Sequence, residues 1–271
     1  MKTDLVSVLK HVMVIALALL AGTPQPAPGQ DLSRGRWVDL THSFSDKAIY
    51  WPTADEFRHA TVFEGITEKG FYYSAYNFSA AEHGGTHIDA PIHFAEGGKT
   101  VDQLALDQLI GAAVVIDVVE KARASRDYQV AVADFEAWET EHGRLPEGCI
   151  VLLNTGSSQF WPDKEKYMGT DRRGEEAISE LHFPGLDPEA ASWLVENRTI
   201  KAIGLDTPSI DYGQSTHFES HRILFDRNIP ALENVNNLDQ LPPVGAIIIA
   251  LPMKIEGGSG GPTRIVAFLP E

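Results

Sequence analysis

Three histidines and one aspartate lie close together in residues 82–94, whose sequence is EHGGTHIDAPIHF. Divalent transition metals favour imidazole nitrogen and carboxylate oxygen as ligands, and a catalytic zinc site keeps about three protein ligands and one open position for water. His83, His87 and Asp89 supply such a set. The spacing therefore predicts a catalytic metal site, and the alternative is a histidine-rich surface loop with no ligand role.

His93 follows Asp89 by four residues, near enough to lie beside the predicted metal without having to bind it. A metal acidifies its water to a pKa near neutral, and an imidazole can take that proton and deliver one to a leaving group. We predict that His93 is this catalytic acid and base. The alternative is a structural histidine beside the ligands.

A glycine turn followed by a short extended segment is expected to position these side chains. The two adjacent glycines after His83, together with Pro91, disfavour a regular helix. In an extended segment over residues 86–90, His87 and Asp89 point to the same side. The glycines allow the close backbone approach that His83 needs to join them.

The rest of the chain predicts a mixed α and β domain. Five apolar runs rich in β-branched residues have the length of buried strands, and two segments carry helix-start signals. The predicted strands are residues 112–119, 149–154, 202–206, 246–251 and 264–269, and the predicted helices are residues 132–142 and 187–197. Since no linker or repeat divides it, the stretch 31–271 is predicted to form one domain.

Composition excludes several classes of function. The formal net charge is −16, and such an acidic surface repels nucleic-acid phosphate and anionic lipid, so no nucleic-acid partner is expected. The single cysteine, Cys149, cannot make an intrachain disulfide or a cysteine-rich zinc site and is interpreted as a buried structural thiol. Any metal must be held by histidine and carboxylate.

Residues 1–30 are interpreted as a signal peptide with a proline-rich leader. The apolar stretch 12–21 follows two lysines and has about half the roughly 20 residues of a membrane span. The mature protein is therefore predicted to be exported, periplasmic or secreted, with no membrane span after processing. The alternative is an uncleaved N-terminal anchor.

A second group of histidines and carboxylates lies in residues 206–233. His221 and Glu233 are the candidates, with Asp211 and His217 behind them. A histidine before an apolar run is more often a satisfied helix residue than a ligand, so spacing alone does not assign a role to this group.

Residues 83–94 resemble the H-x-G-T-H-x-D-x-P-x-H-F signature of the cyclase-like metal-dependent hydrolases, the family of bacterial kynurenine formamidase and isatin hydrolase. Every fixed position of the signature is present. Four further landmarks follow the order of the family, so the resemblance covers nearly all of the predicted mature chain. They are WVDLT at 37–41, YWP at 50–52, GLDTPS at 204–209 and ALPMK at 250–254.

The resemblance implies site residues, a fold and an assembly. The fold would be α+β, a single-domain mixed-sheet β/β/α arrangement of the swivelling-domain type. A homodimer or tetramer is implied, in which loops of one subunit close the pocket of another. The implied roles are metal ligation by His83, His87 and Asp89, catalysis by His93, a second metal on Asp89, His221 and Glu233 in binuclear members, and a substrate-pocket wall at Trp51.

We therefore predict a hydrolase of a C–N amide bond in a small aryl substrate, dependent on Mn²⁺ or Zn²⁺. The bond would belong to a cyclic amide of the isatin type or to an aryl formamide. Some of the aromatic residues in predicted loops should line an apolar pocket, with core packing as the alternative for each of them; they are Phe44, Trp51, residues 71–73, Phe160 and Trp161. Predicted export favours a substrate other than that of the cytoplasmic kynurenine formamidases, which stay the alternative. A non-catalytic periplasmic protein that binds a metal or ligand is the alternative of another class.

One further motif is set aside. Residues 257–261 (GGSGG) match the G-x-S-x-G pattern of serine hydrolases, but that nucleophile needs a strand before it and a helix after it. Pro262 and a predicted strand follow instead, so Ser259 is interpreted as a solvent-exposed residue of a glycine loop.

Overall fold

A closed ring of strands forms the centre of the computed structural model, which describes residues 31–271. The strands of this part of the chain are β1 (Gly35–Asp39), β2 (Arg58–Ile66), β3 (Tyr72–Ser79), β4 (His87–Asp89), β5 (Ile110–Asp117), β6 (Gln129–Val130), β7 (Cys149–Asn154), β8 (Gly185–Leu186), β9 (Ile200–Leu205), β10 (Ala231–Glu233), β11 (Val244–Pro252) and β12 (Gly260–Pro270). The main sheet has the order β1-β12-β11-β5-β7-β9-β10-β4, and β4 also pairs with β12. That last pairing closes the ring.

The described part of the chain has six helices, of which the longer ones pack against the outside of this ring. They are α1 (Leu106–Leu109), α2 (Val119–Ala124), α3 (Val132–His142), α4 (Lys164–Met168), α5 (Pro188–Asn197) and α6 (Glu219–Phe225), and 3₁₀ turns cover Pro91–His93, Val101–Gln103, Ser157–Phe160, Glu175–Glu180 and Leu238–Gln240. The strands β5, β7, β9 and β10 run parallel to one another, whereas the pairs β5–β11, β11–β12 and β4–β10 are antiparallel. The predicted α+β class with a mixed sheet is confirmed.

The central strands are buried on both faces, because two cores lie on opposite sides of the sheet. Along β7, Val151 and Leu153 face the helices, whereas Ile150 and Leu152 face the interior of the ring. This alternation follows the two-residue period of a strand. It explains why β5, β7 and β9 are continuous apolar runs in the sequence, as the prediction of buried strands required.

The predicted boundaries agree closely with these elements. The strand over 149–154 and the helix over 132–142 have the predicted bounds, and the other predicted strands differ by a few residues at their ends. The Asp187 side chain caps α5 by accepting a hydrogen bond of 2.7 Å from the Glu189 backbone N–H. Cys149 is buried, and burial raises the pKa of its thiol to about 11, consistent with a structural thiol.

A two-stranded antiparallel arm, formed by β2 and β3, was not predicted. Its strands pair only with each other, from Arg58 opposite Ser79 to Ile66 opposite Tyr72. Large apolar side chains are exposed on it, including Val62 at 60%, Ile66 at 68% and Phe78 at 57%. The loop aromatics 71–73, expected as candidates for a pocket wall, belong to this exposed arm.

The predicted signal peptide and leader, residues 1–30, lie outside the described residues, so cleavage and export stay predictions. Within residues 31–271, no helix combines the length and the apolar character that crossing a bilayer requires.

Candidate metal centre

The strand that closes the ring also carries the predicted metal ligands. β4 pairs with β10 so that His87 lies opposite Glu233 and Asp89 lies opposite Ala231. On its other edge, β4 pairs with the start of β12, where Gly260 lies opposite Asp89. Because cross-strand neighbours lie about 5 Å apart, this register sets the Glu233 carboxylate beside the β4 ligands.

A glycine turn leads into β4, as predicted. Gly85 has a φ of +60°, in the left-handed region that favours glycine. At Gly84, an added Cβ would lie 2.0 Å from the Tyr50 ring. Only a residue without a side chain fits there, so the chain can turn tightly enough to bring His83 alongside Asp89.

The Asp89 carboxylate is the centre of the cluster, in contact with three imidazoles. Its Oδ1 lies 2.7 Å from His83 Nδ1 and 3.0 Å from His87 Nε2. Its Oδ2 lies 3.2 Å from His221 Nε2, which is also 3.2 Å from Glu233 Oε1. The structure thus brings together all five residues that the sequence proposed as ligands.

Each of these imidazoles has its second ring nitrogen held by a partner outside the cluster. His87 Nδ1 donates to the Gly85 carbonyl oxygen at 3.0 Å. His221, on α6, donates from Nδ1 to Asp211 at 2.5 Å, which agrees with the placement of Asp211 behind it. Such outer hydrogen bonds fix the tautomer and ring orientation of metal-binding histidines.

Burial and mutual contact perturb the acid–base behaviour of the cluster. Burial opposes ionisation of Asp89, but the His83, His221 and His87 imidazoles hold its pKa well below the usual value. Burial and repulsion by Asp89 raise the pKa of Glu233. Although burial opposes it, hydrogen bonds to Asp211 and Asp89 raise the pKa of His221 well above the ordinary value. The buried negative charge is thus balanced by protons on the imidazoles. A metal cation that binds to the cluster releases these protons and balances the negative charge in their place.

The donor set fits a divalent metal. His87, Asp89 and Glu233 offer ligand atoms that all lie within 4.8 Å of one another, and so do His83, Asp89 and His93. Among the described residues, His87 Nε2 is buried without a hydrogen-bond partner of good geometry, although it lies 3.0 Å from Asp89 Oδ1 and 3.5 Å from Glu233 Oε2. A buried polar nitrogen of this kind is costly unless something occupies it, and a metal ion would.

His93 lies against the cluster, as its proposed catalytic role requires. Its ring stacks on that of His83 with centroids 3.8 Å apart and planes inclined by 17°. Burial lowers the pKa of His93 to about 4, so its imidazole is neutral at neutral pH and offers a lone pair. Because it also belongs to one of the two candidate ligand groups, its role stays a prediction.

A cavity of about 310 Å³ opens on one side of these residues. Trp51 lies in its wall, where it packs edge-on against Phe218 with centroids 6.5 Å apart. Phe94 and Ile49 add further apolar wall, and none of the lining residues in the described chain is a lysine or arginine. An apolar, concave wall with polar groups at one end is typical of a small-molecule site.

The structure corrects the predicted exposure of Ser259 and excludes His217 from the cavity wall. Ser259 is half-buried and hydrogen-bonded rather than solvent-exposed, because its hydroxyl lies 2.7 Å from His83 Nε2. Glu82, also missed, accepts a 2.8 Å hydrogen bond from that hydroxyl. His217 is exposed and does not line the cavity. Of these two residues, only Glu82 could have been found from the sequence, because it is adjacent to His83. Ser259 is 176 residues away from His83 in sequence.

Comparison with known proteins gives a consistent result. The family model described as "Putative cyclase" matches residues 38–212. The chain is similar to the isatin hydrolase of Roseibium aggregatum, with 34% identity over 199 residues that cover 70% of this chain and 73% of that protein. It is similar to the kynurenine formamidase of Salinibacter ruber, with 29% identity over 232 residues, 84% of this chain and 95% of that protein. Among solved structures, isatin hydrolase A from Labrenzia aggregata bound to benzyl benzoate matches with a TM-score of 0.79 and 31% identity, over 98% of this chain and 100% of that one.

Replacing Asp89 by Asn is expected to weaken binding of Mn²⁺ and Zn²⁺ at least about 100-fold, because even the loss of a hydrogen bond to a ligand costs 10–100-fold. Asp89 is the one carboxylate shared by both candidate ligand groups. Metal content after dialysis and titration calorimetry would measure the change. Asp226→Asn, at an exposed aspartate, is the control, and an Asp89→Asn protein that keeps its metal would contradict the assignment.

Proposed function

Because this chain belongs to the putative cyclase family and is a metal-dependent hydrolase acting on C–N bonds other than peptide bonds, we propose that its substrate is a small, neutral cyclic aryl amide of the isatin type. The observation that carries this proposal is the apolar, aromatic cavity with the histidine and carboxylate cluster at one end. The cation would be Mn²⁺ or Zn²⁺, since imidazole and carboxylate donors without thiolate suit both.

Different residues would bind the metal and transfer the proton during hydrolysis. His83, His87 and Asp89 would hold one cation, and Asp89, His221 and Glu233 would hold a second if two are bound. A bound cation would polarise the amide carbonyl and acidify water. The neutral imidazole of His93 accepts a proton from the attacking water. The protonated His93 imidazole then donates that proton to the departing nitrogen.

The cavity wall favours a neutral substrate over an amino acid. N-Formylkynurenine carries an α-carboxylate, and a buried carboxylate needs a cationic or hydrogen-bonding partner. The described lining offers no lysine or arginine to such a group, and a single divalent cation balanced by Asp89 and Glu233 would leave little net positive charge to attract it. A flat ring can instead pack against the aromatic side chains of Trp51, Phe94 and Phe218, which line the cavity.

The proposal is tested by stripping the protein of metal and following hydrolysis of isatin and of N-formylkynurenine after Mn²⁺ or Zn²⁺ is added back. We expect metal-restored opening of isatin, with a kcat/KM at least about tenfold above that for N-formylkynurenine, a difference of about 1.4 kcal/mol in transition-state stabilisation. Preferred deformylation would instead assign the protein to the formamidase alternative. Tight metal binding without turnover of either compound would favour the non-catalytic binding protein.

Replacing His93 by Gln is expected to lower kcat by about 10²–10⁴, because that is the usual contribution of a general acid or base. Metal content, measured on the same samples, separates the two roles open to His93. Retained metal with lost activity supports proton transfer, whereas lost metal would make His93 a ligand. His217→Gln, at an exposed histidine outside the cavity, is the matched control and should change neither quantity.

We further propose that two copies of the chain form a homodimer through the arm. An isolated two-stranded ribbon is marginally stable in water, and the arm exposes Val62, Ile66 and Phe78. The arm also begins and ends at the cavity: Ala54 and Ala81 line the cavity and lie just outside its two strands. Packing of the arm on a second copy would bury these side chains next to the mouth of the cavity, which supports the assembly that the family resemblance implies.

Replacing Ile66 by Glu is expected to shift the protein from dimer to monomer, because it sets a charge in the proposed apolar interface. Light scattering coupled to size-exclusion chromatography would measure the mass. Leu106→Glu is the matched control, since Leu106 lies outside the arm and is as exposed as Ile66, at 67% against 68%. A wild-type monomer, or equal behaviour of the two variants, would exclude the arm as the interface.

A further inference from the structure

Two side chains outside the cavity form a hydrogen-bonded path to His83. Ser259 Oγ lies 2.7 Å from His83 Nε2. The same oxygen lies 2.8 Å from Oε2 of Glu82. All three residues are half-buried. The path therefore reaches the ring nitrogen of His83 that faces away from Asp89.

Backbone contacts hold this path in place. Glu82 Oε2 also accepts hydrogen bonds from the backbone N–H groups of Ser259, at 2.8 Å, and Gly260, at 3.3 Å. The Ser259 carbonyl oxygen accepts one from Ala90 at 2.8 Å. A Cβ on Gly260 would lie 2.6 Å from His83 Cε1. The loop is thus fixed to the end of β4 and packs closely on the edge of the His83 ring.

The proton count of the path fixes the direction of its hydrogen bonds. A hydroxyl carries one proton, and Glu82 Oε2 already acts as an acceptor for two backbone N–H groups. Ser259 must therefore donate to Glu82, so its oxygen accepts the Nε2–H of His83. Nδ1 of His83 is then left facing Asp89 Oδ1 at 2.7 Å. Two atoms with lone pairs at this separation require a proton or a cation between them.

We propose that Glu82 and Ser259 are positioning residues that keep the proton of His83 on Nε2 and so present Nδ1 to the metal. The metal-facing role of Nδ1 rests on the metal centre of the proposed function. Ser259 would then do for His83 what the Gly85 carbonyl does for His87 and Asp211 does for His221. Each imidazole of the cluster would receive its tautomer from a different kind of acceptor.

The same three distances admit a rival arrangement, the Ser–His–Asp triad of a serine hydrolase. In that case Ser259 donates to a bare Nε2 of His83, and Nδ1–H donates to Asp89. Glu82 opposes this arrangement, because its carboxylate would then face hydroxyl lone pairs at 2.8 Å. Ser259 is also not among the described residues that line the cavity, so its oxygen is not presented to a substrate.

Nitrogen-15 NMR of the histidine rings decides between the two arrangements. Spectra of the wild-type protein would be recorded with and without Zn²⁺, with His83 assigned from the His83→Asn variant. We expect His83 Nε2 to carry a proton in both samples and Nδ1 to shift when Zn²⁺ is added. A bare Nε2 in either sample would overturn the proposal and favour the triad.

Zinc affinity gives a second readout that does not depend on turnover. Ser259→Ala is expected to raise the dissociation constant for Zn²⁺ about 10–100-fold, measured by competition with a chelating dye. Glu82→Gln should weaken binding in the wild-type background and add little to Ser259→Ala, since the carboxylate acts through the hydroxyl. Ser158→Ala, at another half-buried serine, is the control and should leave affinity unchanged.

The outcomes separate this inference from the proposed function. Unchanged zinc affinity in Ser259→Ala would overturn the positioning role. A wild-type protein that keeps Nε2–H on His83 but binds neither Zn²⁺ nor Mn²⁺ would overturn the metal centre, and with it the proposed function, while supporting the tautomer assignment. Correct zinc binding with no amide hydrolysis would overturn the proposed function alone.

Discussion

The buried carboxylate of Asp89, in contact with the imidazoles of His83, His87 and His221, is the interaction on which the rest of the site depends. A buried charge is tolerated only where opposite charge and hydrogen bonds compensate it. His83 and His87 belong to the same segment as Asp89, but His221 comes from α6, so the compensation is complete only in the folded chain. β4 is three residues long and pairs on both edges, with β10 and β12. This short strand thus couples closure of the fold to assembly of the cluster.

The precision of the cluster comes from strand register and from outer hydrogen bonds. Register alone sets His87 opposite Glu233, and a slip of β4 by one residue would turn His87 to the other face of the sheet, away from Glu233. Orientation of the imidazoles is a separate problem, because a ring can rotate and change tautomer. The Gly85 carbonyl and the Asp211 carboxylate solve it for His87 and His221. Both partners belong to residues whose backbone is held in place by the fold.

Those features of the fold and site that depend on local sequence could be predicted. His83, His87 and Asp89 lie within seven residues, so their spacing and the adjacent glycines already indicate a shared site. Glu233 reaches them only through the pairing of β10 with β4, which no local pattern encodes, and family resemblance was needed to propose it. The arm was missed because its strands bury neither face within the chain, so they lack the alternation of a half-buried strand. Ser259 was misread for a related reason: a glycine loop looks exposed until the position of His83 is known.

The charge of the cluster also bears on the fate of a product. Amide hydrolysis creates a carboxylate, and the described cavity wall has no lysine or arginine to retain one. Asp89 and Glu233 together carry a charge close to that needed to balance one divalent cation, so a site with a single cation is nearly neutral toward the product. Two cations would leave a net positive charge in an apolar cavity, where attraction to a carboxylate is strong because the effective dielectric constant is low. A site with one cation therefore distinguishes a neutral substrate from an anionic product most easily. Such a site would bind the substrate through its aromatic wall and would attract the carboxylate of the product only weakly.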